Sequence, residues 1–400
     1  MGKLKIGVIG LGGRGRYHAE TLAKMSRDPL FPCEMEVVAL CDAYPDRVEA
    51  AAAAVKEKTG AEPSAYTDEN EFLGHENLQA IIVATSWQTH ISIASKAMRK
   101  GIRPAIECGG ASDLDECYKL VSAYEETGIP CMFLENCNYG REEMALLNMT
   151  EKGVFGELIH IQCGYQHDLR TIAQSWENRH YRLDHHLHRN GEFYPMHGLG
   201  PMMKLLKIYS GNRFVSLVSV SSKARGLKEW AKEHLPPDHH IQNKTIAQGD
   251  VVTTVLKTSN GETLVLTHDT TLPRPYSRAG RVQGTKGIWM EDNASIYIEG
   301  VSPSHTWENF HDFIEKHGYE HPMWAECQKS EAEGYGGHGG MDYFVVREFV
   351  KSASAKTEPP VDTYEAALLA CITPLSEKSI ALGSHPVEVP DFTHGMYLTR

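Results

Sequence analysis

Lys5-Ile6-Gly7-Val8-Ile9-Gly10-Leu11-Gly12-Gly13-Arg14-Gly15 is the stretch on which the fold turns. An apolar run ending at Ile9 passes directly into Gly-x-Gly-x-x-Gly, and a helix-like pattern with His18 near its start follows. Strand, glycine turn and helix in that order make the phosphate-binding corner of a Rossmann unit. Gly10 permits the tight turn, Gly12 lets the backbone approach a pyrophosphate, and Gly15 allows the helix to pack closely on the strand. Unpaired N–H groups and the dipole at the helix start then favour the anion, with Gly13 and Arg14 in the same loop.

Working outward, the next strand-like run, residues 36–41, ends in Asp42. A carboxylate there accepts from both adenosine ribose hydroxyls and repels a 2′-phosphate, which favours NAD over NADP. Strand-like runs recur at 80–84, 104–107 and 131–135, separated by helix-like stretches at 18–25, 45–59, 90–100 and 114–127. This alternation predicts a doubly wound parallel sheet. The run at 80–84 leads into Thr85-Ser86-Trp87-Gln88-Thr89-His90, at the sheet end expected to face the nicotinamide. Thr85, Trp87 and His90 are candidate cofactor contacts, and Trp87 reads equally well as a packing residue.

From about residue 158 the pattern changes to alternating runs at 160–165, 214–221, 250–257, 263–269, 281–284 and 294–299. Turns such as Ser259-Asn260-Gly261-Glu262 between them predict a large, mostly antiparallel open sheet in an α+β domain. Residues 170–200, rich in His, Arg, Asn and Tyr, read as one long functional loop. A helix from 364 to about 382, interrupted at Pro374, closes the chain. With 400 residues, two domains are expected, 1–137 for NAD and 138–400 for substrate.

A net charge of -12 without clustered Lys and Arg argues against nucleic acid and suits a small, largely neutral ligand. The apolar run at 6–11 is too short for a signal-peptide core or a membrane span. Nine cysteines, odd in number and scattered, read as reduced thiols, so a cytoplasmic location and no membrane partner are expected. A sheet with one free face suggests a homo-oligomer.

The order of the glycine motif, Asp42, the 85–90 turn and Glu107 resembles the Gfo/Idh/MocA oxidoreductase superfamily. Members commonly read Glu-Lys-Pro after that strand, the lysine contacting the reacting hydroxyl. Here the triplet is Glu107-Cys108-Gly109, which weakens the reading as an ordinary NAD-dependent sugar or cyclitol dehydrogenase. Longer blocks are similar to glycoside hydrolase family 109, NAD-dependent glycosidases of the α-N-acetylgalactosaminidase type. They are Glu135-Asn136-Cys137-Asn138-Tyr139, residues 153–160, 164–170, Arg189-Asn190-Gly191, 194–201, 273–278 and His338-Gly339-Gly340-Met341-Asp342. Met196 stands where the family usually has Thr.

That resemblance implies a cycle in which sugar C3 is transiently oxidised, the aglycone is eliminated, water adds and the sugar is re-reduced. It makes Glu107 and Asn136 cofactor contacts beside Gly10, Gly12, Gly13, Arg14, Gly15 and Asp42. His197 is the candidate base at C3, since an imidazole titrates near neutrality. Tyr165 and Tyr194 are catalytic candidates that need a cationic neighbour or the field of the cofactor to act as bases, or else they pack. Tyr139, His167, Arg189, Asn190, Tyr276 and Arg278 are candidate substrate contacts. His167 and Asp168 alternate on a strand, so at most one faces the site. His180, His185, His186 and His188 match no zinc spacing and read as a polar lid, with no metal expected. A non-catalytic NAD sensor is the third reading, disfavoured by the polar residues between Tyr165 and His197.

Overall fold

The computed structural model describes residues 2–327, 334, 335 and 337–400. Strands β1 (Leu4–Ile9), β2 (Met35–Cys41), β3 (Ser64–Tyr66), β4 (Ala80–Val83), β5 (Arg103–Ile106) and β6 (Met132–Phe133) alternate with α1 (Gly13–Met25), α2 (Pro45–Thr59), α3 (Glu69–Phe72), α4 (Trp87–Arg99) and α5 (Leu114–Thr127). After them come α6 (Arg141–Glu151), β7 (Leu158–Gln166), α7 (Arg182–His188), α8 (Met196–Leu205), β8 (Phe214–Ser221), α9 (Gly226–His234), β9 (Val251–Thr258) and β10 (Thr263–Asp269). Then follow β11 (Arg281–Gly284), β12 (Gly287–Met290), β13 (Ser295–Ile298), β14 (Glu308–Asn309), α10 (Phe310–His317), α11 (Pro322–Glu326), α12 (Met341–Ala355), α13 (Thr363–Ala381) and β15 (Val387–Glu388).

Two compact units result: Met1–Tyr139 with Cys327–Ala370, and Gly140–Glu326 with Cys371–Arg400. A single cut after residue 137 does not describe them, because α12 and the start of α13 return to the first unit. The return is stitched by Phe133 N–H to Val361 O (3.1 Å), Cys131 N–H to the Thr363 hydroxyl (2.9 Å) and Ala111 N–H to Ala370 O (3.1 Å).

In the first unit the strand order is β3-β2-β1-β4-β5-β6, all parallel, the doubly wound order expected. Central strands β1 and β4 are buried on both faces, hence their continuous apolar runs. The second unit holds a nine-stranded sheet, β14-β13-β12-β11-β7-β10-β9-β8-β15. Only the β7–β10 pair is parallel among the paired strands, so the mostly antiparallel expectation is met.

Residues 170–200 are not one loop. They contain a short 3-10 turn (Arg170–Gln174), α7 and the first half of α8. Gly198, Gly200 and Pro201 read as helix breakers, but tertiary packing overrides propensity here. A Cβ on Gly198 would lie 2.4 Å from the Gly164 nitrogen, so the glycine is what lets α8 lie directly on β7. Pro374 likewise sits inside α13 without ending it, and β15 and a 3-10 turn follow that helix. Among the described residues, no helix is long and apolar enough to cross a membrane.

Candidate active site

In the first unit, β1 delivers the chain to Gly10 at φ +86°, where a Cβ would press to 2.5 Å on the Ala84 carbonyl carbon and the Thr85 nitrogen. A Cβ on Gly15 would sit 1.6 Å from the Gly10 oxygen, so α1 can start here only with glycine. Gly13, by contrast, has nothing within 4 Å of its Cβ position, leaving an open cradle at the first turn of α1. The N–H groups of that turn have no acceptor within the helix. Such a cradle fits a dinucleotide pyrophosphate. Asp42, at the end of β2, accepts from Leu11 N–H (2.6 Å) and Tyr44 N–H (2.9 Å), which fixes its carboxylate beside the glycine loop.

Arg14 does not hang free in that loop. It donates to Glu107 (2.8 Å) and Asp342 (2.8 Å). Glu107 also meets His18 Nε2 at 2.5 Å and accepts from Cys108 N–H at 3.0 Å. Asn136 donates to Asp342 at 2.7 Å, and His338 reaches the same carboxylate at 3.0 Å. Burial alone would raise the Glu107 pKa, but Arg14 and His18 overrule it and hold the carboxyl well below the usual range. Asp342 follows the same logic, burial being outweighed by His338 and Arg14. The result is a partly buried ionic network in which the loop arginine is held from two sides. His18 and Asp342 were not expected in it. Spacing did hold a signal, since Arg14 and His18 share one face of α1.

Thr85 accepts from Thr89 (2.8 Å) through its hydroxyl and from His90 Nε2 (3.0 Å) through its carbonyl. Burial keeps His90 neutral by lowering its pKa. Trp87 begins α4 and is buried, and a Cβ on Gly109 would come within 2.3 Å of its ring. The Glu107-Cys108-Gly109 turn is therefore shaped to this indole. Tyr139 belongs to the first unit, buried and stacked on Phe344 (6.5 Å between centroids, 18°).

In the second unit an aromatic cluster gathers the remaining candidates. Tyr165 on β7 lies 4.7 Å from Tyr194 and 5.5 Å from His197, ring to ring, and Tyr194 is 4.8 Å from His197. His197 stands on the first turn of α8. The Tyr165 hydroxyl is 3.1 Å from His167 Nδ1, and Tyr276 closes the edge at 5.2 Å from the His167 ring. Burial first, then Arg182, lowers the His167 pKa, so the ring is neutral at pH 7 and able to accept a proton. Asp168 points elsewhere, to Arg170 (2.7 Å).

Arg182, from α7, was missed. Its guanidinium lies 5.1 Å over the Tyr194 ring and hydrogen-bonds Tyr165. Burial disfavours its charge, but Tyr194, Tyr181 and Tyr165 more than restore it, giving a fixed cation among phenols. No periodicity or motif in residues 170–189 marks that arginine.

Three expected substrate contacts are engaged differently. Arg189 makes a two-pronged pair with Glu377 (2.7 and 2.8 Å), and Asn190 accepts from Ser221 (2.7 Å) and Gly249 N–H (3.0 Å). Arg278 pairs with Glu143 and approaches Glu291 at 3.8 Å. Arg278, Glu143 and Glu291, with His197 and Trp289, line a small pocket.

Comparison with known proteins matches two consecutive parts of the chain. The model of the glycosyl hydrolase 109 C-terminal domain matches residues 139–399, and that of the oxidoreductase family with NAD-binding Rossmann fold matches 4–134. A glycosyl hydrolase family 109 protein of Stenotrophomonas maltophilia is 39% identical over all of this chain and 91% of its own. An alpha-N-acetylgalactosaminidase of Tannerella forsythia is 36% identical over 100% and 88%. Among solved structures, an NAD binding oxidoreductase from Klebsiella pneumoniae superposes with TM-score 0.75 at 17% identity, covering 97% of this chain and 99% of that one. Levoglucosan dehydrogenase in complex with NADH and L-sorbose superposes at 0.72, also 17% identical, over 98% and 100%. At that identity these two show the fold alone.

Proposed function

Because the chain belongs to glycosyl hydrolase family 109, we propose that it is an NAD-dependent glycosidase cleaving N-acetylgalactosaminides or related glycosides. The observation that supports this reading best is the grouping of one imidazole, two phenols and a fixed guanidinium: His197, Tyr165, Tyr194 and Arg182. The Gly10–Gly15 cradle, Asp42, Thr85, Trp87, His90, Glu107 and Asn136 are the residues that would hold NAD. Bound there, NAD supplies a reversible hydride acceptor for sugar C3, whose ketone form acidifies the C2 hydrogen.

This chain's own groups supply the proton transfers. His197 takes the C3 hydroxyl proton and later gives it back. A phenol, Tyr165 or Tyr194, removes the C2 proton, and Arg182 lowers the cost of the phenolate that prepares it. Neutral His167, bonded to the Tyr165 hydroxyl, receives the proton displaced from that phenol. The aglycone leaves C1 with the C1–O electron pair as the C2 proton departs, and is protonated from solvent. Water adds at C1, releasing one proton to solvent while the phenol returns a proton to C2, and the same groups then run the C3 step backwards. Tyr276 and His167 are proposed to touch the sugar.

An aryl glycoside incubated with the protein in deuterated water tests this. Aglycone release with deuterium at C2 and no accumulated NADH is expected, and steady NADH formation from a free sugar would point to a dehydrogenase instead. His197→Ala is expected to lower turnover by about 10²–10⁴-fold with NAD still bound. Eight of the nine cysteines are buried and they are scattered through the chain, which supports a reducing, cytoplasmic location. A homo-oligomer remains our expectation from the sheet.

A further inference from the structure

Part of the second unit is a satellite core in which Ile172, Ala173, Leu183 and Leu187 pack on Leu227, Ala231, Leu235 and Ile241. Two tight turns flank it. In the first, His180 N–H returns to Ser175 O (2.8 Å) and Arg179 N–H to Trp176 O (3.0 Å). In the second, Lys228 Nζ donates to the carbonyls of Ile241 (3.0 Å), Gln242 (2.5 Å) and Lys244 (2.9 Å), and the Gln242 amide reaches Ala231 O (2.8 Å). That clamping to α9 holds His239 and His240 in place.

Across these turns, one ligand atom each from Glu177, His239 and His240 lies within 4.8 Å of the others. Glu177 Oε1 is 2.6 Å from His239 Nε2. The His240 ring lies flat on Trp176 (4.4 Å, 9°), and its Nε2 is buried without a hydrogen-bond partner. We propose that Glu177, His239 and His240 form a binding site for a divalent transition metal of the zinc class, clipping the 175–180 turn to the 239–244 turn.

Two imidazoles and a carboxylate are a donor set that zinc takes at about 2.0–2.2 Å, with water completing a tetrahedron. Such a geometry places donors about 3.4 Å apart, so the present spread closes with about 1 Å of side-chain movement. Half-exposed Glu177 leaves an entry path and the position for water. Coordination at His239 Nε2 moves its ring proton to Nδ1. That gives up the 3.4 Å contact from Ile241 N–H, weak by its length. A buried imidazole nitrogen without a partner costs free energy, and a metal ion is a partner of the right kind. Arg182 lies on the segment that the clip would stiffen, a consequence resting on the proposed function; the site itself does not.

Chelator-treated full-length protein titrated with zinc chloride by calorimetry tests the site, alongside the visible absorption of a cobalt(II)-loaded sample. Expected are one ion per chain, a tetrahedral cobalt spectrum, and a melting temperature raised by several degrees at saturating zinc. Glu177→Gln and His240→Ala should each weaken zinc binding by about tenfold or more, with circular dichroism unchanged in its absence. His305→Ala, an exposed histidine elsewhere, should bind as the parent does. Absence of binding at millimolar zinc, or unchanged affinity in the His239→Ala/His240→Ala double variant, would overturn the proposal.

Discussion

Arg182 is the residue whose removal is most informative. A cation fixed over Tyr194 and bonded to Tyr165 stabilises negative charge on either phenol, and preorganised groups of that kind are typically worth about 10²–10³ in rate. Arg182→Met should lower kcat by that factor and leave NAD affinity unchanged. Arg182→Lys should recover part of the loss, because it restores charge without the planar fork. Equal turnover in all three proteins would remove Arg182 from the chemistry. Residues of this kind mark the limit of sequence reading. Tyr165, Tyr194 and His197 were legible because they sit in long motif blocks. Arg182 was not, since its neighbours show no period and its role depends on where α7 lies. Arg189 and Asn190 looked like sugar-binding groups for the same want of context, and the structure gives their polar atoms to Glu377, Ser221 and Gly249.

At the scale of elements, the parallel sheet was legible because strands buried on both faces leave unbroken apolar runs, with glycine turns between strand and helix. Helix α8 escaped the same reading. Its two glycines and its proline lower helix propensity, and only contact with β7 compensates. Gly198→Ala puts a methyl 2.4 Å from the Gly164 nitrogen. It should destabilise by about 1–3 kcal/mol, as overpacking does, and shift His197 enough to depress kcat. Urea unfolding and steady-state kinetics check both effects. Gly13→Ala is the control on the other unit: its Cβ meets nothing within 4 Å, so stability should hold while NAD binding weakens as the cradle fills. If Gly198→Ala unfolded and turned over as the parent does, the close contact of α8 with β7 would not be what sets His197.

For the whole molecule, buried titratable groups set an acid and an alkaline limb of stability. Burial first, then the neighbouring His268 for His186 and Arg182 for His268, push the two rings down to about 3. Between that value and the unfolded value of about 6.5, the unfolded chain binds more protons. Stability therefore falls as pH drops through this range, by up to about 1.4 kcal/mol per unit for each ring. Glu107 and Asp342, held low, add to the acid loss below about pH 4. Burial raises Glu192 to about 8, the opposite sign: its folded state keeps a proton the unfolded chain has lost, so stability declines as pH rises from about 4.5 to 8. These opposing slopes place maximum stability near pH 6.5. Thermal unfolding across pH 4–9 checks this. Glu192→Gln should flatten the decline between about pH 6.5 and 7.5, below the range where the Cys131, Cys163 and Cys371 thiols, raised by burial, add their own loss. An equally steep fall in that window would refute the assignment to Glu192.

The chain passes between its two units three times, and the first closes only with Cys327–Ala370 in place. Asp342, the hub of the ionic network around Arg14, is part of that late segment. During synthesis, then, the nucleotide unit stays incomplete until Cys327–Ala370 emerges, after strands β7 to β14 of the other sheet. Residues 1–139 expressed alone should be loosely ordered and open to protease, and co-expressed 327–370 should protect them. Each unit is completed by a segment made after most of the other has been translated, so neither can finish folding in the order of the sequence.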